Sequence, residues 1–77
     1  MKRATEAGIK KALKPFYSVE EGIYVMSEGE ADSASSEIMS NFSGVYCSIL
    51  PTKAGTYVFS VVLLAKSKKT FFKALIR

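Results

Sequence analysis

The stretch Tyr57-Val58-Phe59-Ser60-Val61-Val62-Leu63-Leu64-Ala65 is apolar apart from the Ser60 hydroxyl and the tip of Tyr57, and such a run cannot stay in water. β-Branched and aromatic residues dominate it. Ala54-Gly55-Thr56 precedes it and Lys66-Ser67-Lys68-Lys69 follows it, so it reads as a strand buried on both faces. Side chains alternate along a strand, which sends Tyr57, Phe59, Val61, Leu63 and Ala65 to one face and Val58, Ser60, Val62 and Leu64 to the other. Each face needs a cover, and the neighbouring segments have to supply it.

Upstream, Val45-Tyr46-Cys47-Ser48-Ile49-Leu50 is a second strand with Val45, Cys47 and Ile49 on one face. Pro51-Thr52-Lys53-Ala54-Gly55 has the turn residues of a hairpin, which makes the two strands antiparallel neighbours. Further back, Ile23-Tyr24-Val25-Met26 has strand composition; Phe16-Tyr17-Ser18-Val19 ahead of it reads as extended and Glu20-Glu21-Gly22 as a turn. In Ser27-Glu28-Gly29-Glu30 a serine stands three residues before a glutamate, the spacing at which each side chain satisfies a free backbone donor of the other at a helix start. Ala31, Ala34, Ile38 and Phe42 then recur at helical spacing, although the serines between them have poor helix propensity and leave room for a loop in the first half.

Residues 4–14 read as a helix with Ile9, Ala12 and Leu13 on one stripe and Lys10, Lys11 and Lys14 off it, stopped by Pro15. Residues 67–77 have two readings. As a strand they group Thr70, Phe72, Ala74 and Ile76 but leave Phe71 and Leu75 beside Lys73 and Arg77. As a helix capped by Ser67 they separate Phe71, Phe72, Ala74, Leu75 and Ile76 from Lys69, Lys73 and Arg77, and this cleaner segregation favours the helix. The resulting fold class is α+β: a small sandwich in one domain spanning 1–77, with an antiparallel sheet centred on residues 56–65 packed against helices. The element order is α-β-α-β-β, followed by that last helix or strand.

Seventy-seven residues stand near the size at which one core is only just sufficient and association often supplies the rest. No run approaches the ~18 apolar residues of a membrane span, and Met-Lys-Arg-Ala-Thr-Glu lacks a secretory signal's apolar segment. The expectation is therefore no membrane insertion and an intracellular, by default cytoplasmic, location, which also discounts Asn41-Phe42-Ser43 as a glycosylation acceptor. Cys47 is the only cysteine and histidine is absent, so neither a disulfide within the chain nor a Cys/His zinc site can form, and Cys47 reads as a small buried apolar residue. Gly55-Thr56 lacks the Gly-Lys pair of a phosphate loop, and Glu28, Glu30 and Asp32 are too diluted by serine for a calcium loop. No metal, no cofactor and no enzymatic activity are expected, since the commonest general base is missing. The net charge of +4 is uneven, with lysine and arginine at both ends and carboxylates in the middle. That distribution suits a nucleic-acid backbone or simple complementarity within a fold or oligomer.

From Ile23 onward the order strand, helix, strand, strand, helix resembles the RNA recognition motif, a ferredoxin-like domain that runs βαββαβ. Ile23-Tyr24-Val25 stands where that family carries an apolar-aromatic-apolar motif in its first strand. Phe42-Ser43-Gly44-Val45-Tyr46 looks like its Phe-Gly-x-Val passage with Ser43 inserted, and Lys53, Gly55, Tyr57, Val58 and Phe59 supply part of its longer motif. The family's last strand and the second glycine-aromatic unit are missing, and an N-terminal helix is added. The resemblance implies single-stranded RNA binding, with Tyr24, Tyr57 and Phe59 stacking on bases and Lys53 meeting a phosphate.

The face that continues from Tyr57 and Phe59 through Val61, Leu63 and Ala65 is too apolar to stay bare, since burial is worth ~25 cal/mol per Å². The N-terminal helix through Ile9, Leu13 and Phe16 could cover it, as could a second copy or another protein. The leading expectation is a non-enzymatic domain binding single-stranded RNA or other nucleic acid. The alternative is a protein-interaction or self-associating adaptor module, a homodimer among its forms, with Val61, Leu63, Ile9 and Leu13 at the interface.

Overall fold

The computed structural model describes residues 1–64 and 70–77. In chain order the elements are β1 (Lys2–Arg3), α1 (Glu6–Leu13), β2 (Ser18–Glu20), β3 (Ile23–Met26), α2 (Glu28–Asn41), β4 (Phe42–Ser43), β5 (Val45–Pro51), β6 (Tyr57–Leu63) and β7 (Thr70–Ile76). Strands β2, β3, β7, β6 and β5 form a five-stranded sheet in that spatial order, and β1 and β4 form a small parallel pair. The architecture is α+β, as the sequence requires, but the sheet is mixed: β3 and β7 run parallel while the other pairings are antiparallel.

Local chemistry explains most boundaries. Thr5 caps α1 by accepting a hydrogen bond from the Gly8 N–H at 3.1 Å, and Pro15 turns its end into one 3-10 turn over Lys14–Phe16. At α2 the Ser27 hydroxyl accepts from the Glu30 N–H at 3.1 Å while the Ser27 N–H donates to Glu30 Oε1 at 2.8 Å, the reciprocal cap read from the sequence. The serine-rich first half is helical throughout, because burial of Ala31, Ala34 and Ile38 against the sheet outweighs the weak propensity of the serines around them. Between β2 and β3 the turn residues Glu21 and Gly22 both have positive φ, the two-residue turn whose twist matches that of the strands it joins.

Residues 70–76 form a strand, which corrects the preference for a C-terminal helix. The strand holds a β-bulge: Val61 pairs with Phe72 and Val62 with Thr70, leaving Phe71 as the extra residue. Phe71 packs against the helix-side core with Phe72, while Thr70 and Lys73 take the opposite face. One inserted residue breaks the two-residue alternation and imitates helical segregation of Phe71 and Phe72 from Lys73. Ser67, read as the helix cap, and Lys69 lie outside the described residues.

Both helices pack on one side of the sheet. Ile9 and Leu13 of α1 and Ala31, Ala34 and Ile38 of α2 join Phe59, Val61, Leu63, Phe72, Ala74, Ile76, Val45, Cys47 and Met26 in one core cluster. The cross-strand registers Cys47 to Val61, Val61 to Phe72 and Phe59 to Ala74 put these sheet residues on the same face.

Candidate interaction surface

Among the described residues the other face of the sheet carries no helix. Its residues follow from the registers: Tyr46, Val62 and Thr70 share one row, Ser48, Ser60 and Lys73 the next, and Leu50, Val58, Leu75, Val25 and Ser18 a third. Ile23 lies beside Glu20 on the same side. Tyr46, Leu50 and Ile23 are more than half exposed, at 53%, 56% and 54%, and Val58, Val62 and Leu75 are half-buried. The middle row is held by a hydrogen bond between the Ser48 and Ser60 hydroxyls at 3.1 Å, which lets a polar pair sit inside an apolar field. Among the described residues charge on this face is sparse: Lys73 is exposed, and Arg77 forms an ion pair with Glu20 at the margin.

The residues expected to bind do not gather here. Phe59 is 0% exposed under the helices, so it is a core residue and cannot stack on a base. Val61, Leu63, Ile9 and Leu13, expected at a partner interface, are buried against one another within the chain. Their apolar face is the one that α1 and α2 cover, which corrects that assignment. Tyr24 is on the covered side, its ring stacked on Phe72 with centroids 5.1 Å apart and edge-on to Tyr17 at 4.9 Å, so its π-face already has a protein partner. Tyr57 is half exposed at the end of β6, where Glu28, Asp32, Ile49 and Ile76 line the same shallow cavity of about 240 Å³. Two carboxylates beside that ring disfavour a phosphate there. Lys53 is exposed in the β5–β6 turn, apart from the aromatic cluster of Tyr17, Tyr24, Phe59 and Phe72.

The order from Ile23 onward ends in a strand placed between β3 and β6, where the likeness to the RNA recognition motif rested on a closing helix. Tyr46, Leu50, Val58 and Val62 were missed as surface residues. A signal for them existed in the alternation of the two central strands, but alternation alone does not say which face the helices take.

Other chemistry is thin. Burial pushes the Cys47 thiol up to about 11, so it stays protonated and inert at neutral pH. Among the described residues no three of Cys, Asp and Glu converge closely enough to hold a metal ion, and no helix is long and apolar enough to cross a membrane. The α2 N-terminus is closed by its own Ser27 and Glu30 side chains. No family model matches the chain, and neither a curated protein nor a solved structure matches it.

Proposed function

We propose that this chain is a non-enzymatic, self-associating protein-interaction module whose contact surface is the β5 margin of the uncovered sheet face. The observation that carries the reading is the placement of both helices on one side, which leaves Tyr46, Leu50, Val58 and Val62 facing outward on the other. A second copy is the occupant that the size and composition favour, because a chain this small gains core by association and the β5 strand carries no charged side chain that would repel its own image.

Sedimentation equilibrium through the micromolar range tests the reading. The wild-type chain sediments as a dimer, and Tyr46→Glu and Leu50→Glu sediment as folded monomers with unchanged far-ultraviolet circular dichroism. A wild-type chain that stays a folded monomer overturns it. So does a monomer that binds single-stranded RNA with salt-sensitive affinity lost in Tyr46→Ala and Lys73→Ala, which would return the face to nucleic acid.

A further inference from the structure

The free edge of the sheet at β5 is built to pair with itself. Within the β5–β6 hairpin, the Thr52 N–H donates to the Thr56 carbonyl at 2.8 Å and the Leu64 N–H donates to the Gly44 carbonyl at 3.0 Å. Both bonds belong to the same antiparallel register that pairs Tyr46 with Val62, Ser48 with Ser60 and Leu50 with Val58. Hydrogen-bonded pairs alternate along an antiparallel ladder, so those even-numbered residues turn their backbone groups toward β6. Val45, Cys47, Ile49 and Pro51 consequently aim theirs outward, and among the described residues β5 pairs with no strand other than β6. Pro51 has a carbonyl there but no N–H.

Sheet edges that remain solitary are usually short, charged or bulged. β5 is seven residues long, holds no charged side chain, keeps an unbroken register and exposes Tyr46, Ile49 and Leu50. The opposite edge, β2, has three residues, ends in Glu20 and is followed by Glu21. The two edges therefore differ in the features that decide whether a second strand can add.

Resting on the self-association proposed above, we infer that two copies join β5 to β5 antiparallel about a two-fold axis at Ser48, forming one continuous ten-stranded sheet. In this register Cys47 and Ile49 exchange both backbone bonds with Ile49 and Cys47 of the second copy, and the Val45 N–H donates to the carbonyl of Pro51. On the uncovered face Tyr46 meets Leu50 of the second copy and Leu50 meets its Tyr46, so each exposed side chain gains an apolar neighbour. Ser48 faces its own image. The contact is isologous and closes at two copies, because the charged, short β2 edge does not offer a second docking site.

Ser48 and its image form a non-hydrogen-bonded pair, with Cα atoms ~4.5 Å apart, inside the range a disulfide spans. Cys47→Ala/Ser48→Cys under mild oxidation is expected to give a covalent dimer. Cys47→Ala/Ser33→Cys, with its thiol on the exposed side of α2, is expected to give none. Ile49→Pro removes an outward N–H that pairs with no described strand of the isolated chain, so it is expected to stay folded and sediment as a monomer. A wild-type dimer that gives no link through position 48 and survives Ile49→Pro overturns edge pairing while leaving self-association standing. A wild-type monomer removes self-association itself, and edge pairing with it.

Discussion

Replacing Phe59 by alanine measures which face of β6 the helices cover. Phe59 is 0% exposed and its ring meets that of Phe72 edge-on, with centroids 6.3 Å apart. An aromatic side chain buries ~200 Å², which at ~25 cal/mol per Å² corresponds to ~5 kcal/mol for the whole ring. The alanine methyl retains a part of this, and the cavity left between helices and sheet adds to the cost, so the expected loss is about 4 kcal/mol. Its sequence neighbour Val58 points to the uncovered face and is half-buried. Val58→Ala deletes two methyl groups from that shallower site and should cost about 1 kcal/mol. Urea unfolding followed by circular dichroism separates the two, since domains of this size lose ~1 kcal/mol of stability per molar urea. Total stability for such a chain is ~4–12 kcal/mol, so Phe59→Ala can lie close to unfolding; Phe59→Leu, at ~1–1.5 kcal/mol, keeps the comparison measurable. Equal costs for Phe59→Ala and Val58→Ala, or a Val58→Ala cost clearly above that of Phe59→Leu, would refute the assignment of the covered face.

Three further outcomes are expected. Ser27→Ala removes the α2 cap and should cost about 1 kcal/mol in urea unfolding, with fraying in the first turn visible as faster amide exchange at Glu30 and Ala31. Gly55 has φ +83 with open space where a Cβ would stand, so Gly55→Ala should cost about 1–2 kcal/mol through the backbone alone, measured in the same way. The buried Cys47 thiol titrates at about 11 in the folded chain against an ordinary 9.0. The folded state thus keeps a proton that the unfolded state has lost. Its stabilising contribution is complete below pH 9.0 and falls away as pH rises toward 11. An aromatic disulfide reagent should accordingly react with Cys47 at the rate of unfolding; rapid reaction of the native chain at neutral pH would contradict that burial.

Local features were legible because their causes are local. The Tyr57–Leu63 strand, its β5 partner, the Ser27–Glu30 cap, the stop at Pro15 and the stripe Ala31, Ala34 and Ile38 all follow from periodicity and capping within a few residues. The α+β class follows from their sum. The C-terminal strand was misread because its bulge at Phe71 replaces a period of two by a local spacing of three, and a bulge is a property of pairing with β6.

Faces are likewise a tertiary property. Both faces of β6 are apolar, and strand alternation separates Phe59 from Val58 without saying which one meets the helices. That choice was made when Ile9, Leu13 and Ile38 found Phe59 and Val61 at full burial, with smaller residues on the opposite side. From its sequence alone this chain must build a sheet around Tyr57–Leu63 with an amphipathic α2 against it. Packing alone decided that both helices share one side. It thereby turned Phe59, Val61 and Leu63 into core and left Tyr46, Leu50 and the β5 edge to face whatever comes next, because a two-layer fold with one sheet can cover only one of its faces.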